Sequence, residues 1–159
     1  MALDDDIRAF ERAPLLGEIG RDALRLLAFS ADTRSLRAGG VLFRKGETAL
    51  GGFVLVQGTL SLSAGEGAPE RIVNRGALLG ELALIVEIEQ SDTATATEPS
   101  RVLSIPRSSF RRILEEFPDV TWRFRARLAE RLRADQRQLA SILADLSGLD
   151  ALDAGKKDP

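Results

Sequence analysis

Between residues 33 and 106 the chain is a succession of short apolar runs punctuated by glycine: SLRAGG, VLFRKGE, FVLVQGTLSLSAGEG, RIVNRGALLGE, TATAT and RVLSIP. Runs this brief are too short for helices, and their recurrence about every ten residues fits the strands of a small antiparallel barrel or sandwich. Within TLSLS, Leu60 and Leu62 fall on one face and Thr59, Ser61 and Ser63 on the other, as a half-buried strand requires. Gly39, Gly40, Gly46, Gly58 and Gly76 stand between runs, where tight reversals favour a positive φ that a side chain resists.

Both flanks change period. Ile7, Phe10, Leu15, Leu16, Ile19, Leu24, Leu27 and Ala28 recur at helical spacing, which predicts short amphipathic helices over residues 4–30, with Pro14 between the first and the second. Helical spacing returns after Ser108 in SSFRRILEEF and again over 119–146, with Pro118 as the break. The expected organisation is one domain over 1–147, made of helices at 4–30, a β-roll at 33–106 and C-terminal helices at 107–147. Residues 148–159, GLDALDAGKKDP, read as a loose tail. A chain of 159 residues can close one core but not two full domains.

Composition narrows the chemistry. The sequence has no cysteine, histidine or tyrosine, which removes disulfides, thiolate and imidazole metal ligands, and the commonest general base. Neither a catalytic nor a metal site is expected. No apolar run approaches the roughly 18 residues that span a bilayer, and the N-terminus is acidic where a signal peptide is basic. A cytoplasmic protein without membrane association is the expectation.

Four stretches in order then carry a resemblance: LRAGGVLFRKGE at 36–47, FVLVQGTLSL at 53–62 with Gly58, RGALLGELALI at 75–85, and VLSIPRSSFRRILEEFPDV at 102–120. Together they resemble the cyclic nucleotide-binding domain of bacterial catabolite-activator-type proteins over almost the whole chain. The resemblance implies a mainly β, α+β fold, an antiparallel jelly-roll or double-stranded β-helix with N-terminal helices and a long C-terminal helix. It also implies a ligand pocket for cyclic AMP or cyclic GMP. In that family the glutamate of the Gly-Glu pair, here Gly80-Glu81, bonds the ribose 2′-hydroxyl, and the following backbone, here Leu82 and Ala83, touches the cyclic phosphate. A glycine opening a helix also leaves free N–H groups suited to a phosphate.

The match breaks where the family has its phosphate-binding arginine. Counted from Gly80, that position is Gln90, in Glu89-Gln90-Ser91-Asp92-Thr93. A neutral amide donates to a phosphate oxygen but does not neutralise it. Glu87, Glu89 and Asp92 add negative charge if they face the pocket, while Ser91 and Thr93 keep hydroxyls there. Arg75 and Arg101 are the candidates to replace the missing cation. Two readings follow: a regulatory module that binds a cyclic purine nucleotide weakly or with altered selectivity, or a module that has lost its ligand and works as a dimerising adaptor.

Leu128, Leu132, Asp135, Leu139, Ile142 and Leu146 alternate three- and four-residue steps, the seam of a short coiled coil with Asp135 as its polar member. The seam predicts a homodimer. The other reading folds the helix back on its own barrel, and Trp122 and Phe124 are expected to pack that way. Nine arginines against five acids over 107–137 make a mildly basic, solvated face. The family's transcription factors continue into a helix-turn-helix, of which the residues after 147 carry no pattern, so DNA binding is not expected and the output passes to a protein partner or a second copy.

Overall fold

The structure, a computed structural model, describes the backbone of residues 2–146 and the side chains of residues 3–131, 133 and 134. Its elements follow the predicted order. Helix α1 (Ala2–Arg12) buries Ile7 and Phe10, and its first-turn acids Asp4 and Asp5 and last-turn Arg12 suit the helix dipole. A γ-turn at Leu15, φ 69°, closed by the Leu16 N–H donating to the Pro14 carbonyl at 2.8 Å, leads into a single 3₁₀ turn, Leu16–Glu18. Helix α2 (Arg21–Ser30) buries Leu24, Leu27 and Ala28, the face read from the sequence, together with Ala23.

Ten strands follow: β1 (Asp32–Leu36), β2 (Val41–Phe43), β3 (Thr48–Ala49), β4 (Gly51–Gln57), β5 (Leu60–Ser63), β6 (Arg71–Val73), β7 (Leu78–Leu79), β8 (Ile88–Glu89), β9 (Thr93–Ala96) and β10 (Ser100–Pro106). They form two four-stranded sheets, ordered β1-β10-β4-β7 and β2-β9-β5-β6, and a β3-β8 pair, with every pairing antiparallel. Leu42, Leu60, Leu62, Ala94 and Ala96 from one sheet meet Leu55, Leu79 and Val102 from the other, so the core is the closed interior of an antiparallel β-roll. Val54 and Leu103 are fully buried as well but lie outside that cluster. They belong to the opposite face of their sheet, where α1, α2 and α3 pack.

Two details depart from simple alternation. Ser61, on the polar face of β5, is nevertheless buried, and its hydroxyl donates to Glu70 Oε2 at 3.1 Å. Of the glycine pair at 39 and 40, only Gly39 has positive φ; a Cβ on Gly40 would lie 2.9 Å from the Arg37 carbonyl oxygen, so close approach holds that position as glycine. Gly58 meets both constraints, with φ 89° and a Cβ that would strike Ser100 Oγ and sit 2.7 Å from the Pro99 carbonyl oxygen.

Helix α3 (Arg107–Glu116) buries Phe110 and Ile113, and Pro118 opens α4 (Pro118–Leu146). Residues up to Phe124 form one compact unit and those from Arg125 a second. Within the first, Phe124 is buried against Phe110, ring centroids 4.8 Å apart and planes tilted by 59°. Trp122 corrects the expectation made for it: it is 79 % exposed. Val120 and Phe124, four residues apart, share the buried face, and at about 100° per residue Trp122 lies round the far side of the helix. Leu128 is partly exposed. The remaining members of the expected seam, Leu132, Asp135, Leu139, Ile142 and Leu146, lie outside the described side chains, and the tail at 148–159 lies outside the described residues.

Candidate functional site

The Gly80-Glu81 turn forms where β7 ends. Gly80 has φ 80°, and a Cβ there would approach the Gly51 carbonyl oxygen to 3.2 Å, so glycine lets β7 leave its sheet close to β4. The helix expected near Glu81 is one 3₁₀ turn, Leu82–Leu84, with Glu81 at its N-terminus. It closes through N–H donation from Leu84 to the Glu81 carbonyl (3.3 Å) and from Ile85 and Val86 to the Leu82 carbonyl (3.0 and 2.9 Å). The amides of Leu82 and Ala83, first in the turn, have no acceptor within it. Ala83 and Leu84 are buried, whereas Leu82 faces outward.

A residue not singled out in the sequence holds this turn. Nη1 of Arg107, the first residue of α3, donates to the carbonyls of Ala49 (2.9 Å), Ala83 (3.1 Å) and Val86 (3.2 Å). One guanidinium nitrogen therefore ties the end of β3, the middle of the 3₁₀ turn and the chain just beyond it to the root of the C-terminal helices. Its only sequence signal is its position just after Pro106, and that says nothing of what the side chain reaches.

Gln90 and Ser91 lie on the segment joining β8 to β9, and Thr93 opens β9. The Gln90 backbone is pinned to the turn at 44–47: its N–H donates to the Glu47 carbonyl at 2.7 Å, and its carbonyl accepts from Gly46 N–H at 2.8 Å. Thr93 Oγ1 accepts from the Lys45 amide at 3.0 Å, which leaves its own O–H available. Ser91 donates to Asp92 Oδ2 at 3.2 Å, and the same oxygen accepts from Arg71 Nη2 at 2.9 Å. The Asp92 side chain is 15 % exposed and that of Arg71 65 %. Asp92 is thus neutralised by a cation 21 residues away in sequence, which sequence reasoning missed. Strand order explains the meeting: β5 lies between β6 and β9, with Leu62 opposite both Arg71 and Ala94.

Arg75 and Arg101 do not join this segment. Both line a cleft of about 660 Å³ between α1 and the β4-β10 sheet, whose walls include none of Gly80, Glu81, Leu82, Ala83, Gln90, Ser91 or Thr93. Among the described residues no cluster of carboxylates has the arrangement of a metal site, and no helix is long and apolar enough to cross a membrane.

Comparison with known proteins agrees with this geometry. The profile of the cyclic nucleotide-binding domain matches residues 33–117, from β1 through α3. The solved structure of a cyclic nucleotide-binding-like protein from Brucella abortus is 42 % identical, with a TM-score of 0.62, covering 70 % of this chain and 99 % of that one. The N-terminal domain of a transcriptional regulator from Streptomyces coelicolor shares the fold, with a TM-score of 0.72 at 23 % identity over 82 % of this chain and 94 % of the other. The HTH-type transcriptional regulator Cmr of Mycobacterium tuberculosis is 26 % identical over 126 residues, 77 % of this chain. This chain spans about half of that regulator's length, 52 %.

Proposed function

The chain belongs to the cyclic nucleotide-binding domain family, and from that premise we propose that it is a non-enzymatic cytoplasmic regulatory module that takes a cyclic purine nucleotide weakly at the Gly80-Glu81 turn. In this reading Glu81 accepts the ribose 2′-hydroxyl, the amides of Leu82 and Ala83 meet the cyclic phosphate, and Ser91 and Thr93 line the same pocket. Arg107 carries the proposal. Because its guanidinium joins the turn to the first residue of α3, a ligand that shifts the turn also shifts the start of the C-terminal helices. The state is passed on to a second copy or to a protein partner.

Weakness follows from charge. Gln90 offers no cation, and Arg71, a cation that tertiary structure brings to this segment, is held by Asp92. Removing one member of a buried charge pair costs about 2 to 5 kcal/mol, or roughly thirty-fold to several-thousand-fold in affinity. Calorimetric titration with cyclic AMP and cyclic GMP tests the reading. Gln90→Arg is expected to raise affinity at least about tenfold, the worth of one charged hydrogen bond, and Glu81→Ala in that background to lower it. The Arg71–Asp92 pair also favours the second reading, a ligand-free adaptor. That reading wins if folded Gln90→Arg protein gives no heat with either nucleotide.

Output through self-association rests on the seam from Leu128 to Leu146. The wild-type chain is expected to sediment as a dimer, and the double substitution Leu139→Glu, Ile142→Glu as a folded monomer. A wild-type monomer at high micromolar concentration removes the dimer from the proposal.

A further inference from the structure

The cleft beneath α1 has a charge pattern that the nucleotide reading does not use. Four arginines face it: Arg8 and Arg12 from α1, Arg75 from the 74–77 turn and Arg101 from β10, with Asp5 and Asp6 as the acids. The excess of two positive charges is local, since the whole chain carries a formal net charge of -2. Arg8 is partly spent on Asp5, 3.6 Å away, in a pair exposed on both sides. Arg12 and Arg75 have no ion-pair partner among the described residues.

The arginines are held from different directions. Arg75 occupies the second position of a β-turn closed by Ala77 N–H donating to the Asn74 carbonyl at 3.2 Å, and Gly76 follows with φ 98°, as a type II turn requires. The turn is fastened to β4 on both sides: Gly76 N–H donates to the Leu55 carbonyl at 2.8 Å, and Leu55 N–H to the Ala77 carbonyl at 3.0 Å. Arg101 enters the cleft beside a β-bulge, where the pairing of β10 with β4 shifts register between Arg101 and Val102. Such irregularities re-aim a side chain without loosening the sheet. Val56 and Ala9 form apolar wall between the charges.

We propose that this cleft is a second ligand site, selective for a small oxyanion carrying two or more phosphate or carboxylate groups, gripped by Arg12, Arg75 and Arg101. Guanidinium forks match both groups in bidentate geometry, and a volume of about 660 Å³ admits a metabolite-sized molecule. Asp6 acts as its electrostatic counterweight. Burial pushes the Asp6 carboxyl above its ordinary range, Arg101 opposes that, and Asp5 adds to it. The site is independent of the Gly80-Glu81 turn, with which it shares no lining residue.

The test is titration of the full chain with inorganic pyrophosphate and, separately, citrate, at constant ionic strength, followed by amide NMR. Saturable shifts centred on Gly76 and Ala77 are expected with at least one of the two. Stronger binding of pyrophosphate would assign phosphate chemistry, and stronger binding of citrate carboxylate chemistry. Arg75→Ala, an exposed turn residue, is expected to weaken binding about tenfold with an unchanged melting temperature. Arg12→Gln, on an exposed position of α1, provides an independent variant with the same expectation. Asp6→Asn is expected to strengthen binding several-fold. Non-saturable shifts, or equal binding by wild type and both arginine variants, overturn the proposal.

Discussion

Between Gly80 and Thr93 a glycine-glutamate turn is followed by a segment with Gln90 where the resemblance leads one to expect an arginine, whereas beneath α1 four arginines from three separate stretches share one cleft that no motif announces. The first region has a left-handed glycine and a 3₁₀ turn whose first two amides have no acceptor within it, and Arg71 nearby is already paired with Asp92. The second has unpaired cations and no phosphate-binding backbone. The contrast separates two things that a family motif normally delivers together. Backbone shape is written in consecutive residues, and net charge is the sum over side chains that only folding collects.

The regions share one support, and removing it is expected to abolish the contrast. Leu55 is fully buried in the roll core and also lines the cleft. Leu55→Ala is expected to cost about 2 to 5 kcal/mol, read as a lower midpoint in urea denaturation. Turn and cleft should lose protection together. An unchanged midpoint would mean that the core closes over the missing methyl groups and that the regions do not depend on this residue.

Arg107 sharpens the comparison from one side. Arg107→Gln leaves the carbonyls of Ala49, Ala83 and Val86 without their donor, at an expected cost of about 1 to 3 kcal/mol. Amide exchange should accelerate at residues 82–86 and stay as it was at Gly76 and Ala77. Equal acceleration in both places would show that the guanidinium supports the whole roll rather than the turn.

The smallest effect belongs to Asp6, on the other side. Its carboxyl titrates above the ordinary 3.8 in the folded protein, chiefly through burial. A carboxyl with a raised folded pKa contributes stability fully below pH 3.8 and loses it as pH rises through the raised value. At pH 7 the partly buried charge is therefore a small liability, and Asp6→Asn is expected to raise the melting temperature by less than about 2 °C. The gain should vanish below pH 3.8. A lower melting temperature at pH 7 would mean that the attraction to Arg101 outweighs burial.

The chain's own residues show where reading along it succeeds and where it stops. Positive φ at Gly58 and Gly76, the buried pair Leu60 with Leu62, the buried Phe124 and the break at Pro118 all follow from neighbours within a few positions. Trp122 departs from its expected packing because hydrophobicity alone does not say which side of a helix meets the core; its angle from Phe124 does. Arg71 against Asp92, Arg107 on Ala83 and Val86, and Arg75 beside Arg101 were out of reach for another reason.

The sequence by itself determined the succession of strands, the turns between them and the helices at either end, because periodicity, glycine and proline act on the backbone locally. Only the tertiary structure decided which charge meets which. That outcome depends on the orders β1-β10-β4-β7 and β2-β9-β5-β6, on a bulge beside Arg101 and on the packing of α1 against β4. These choices are made by burying the whole core at once, and a side chain long enough to cross two strands takes its partner from that arrangement.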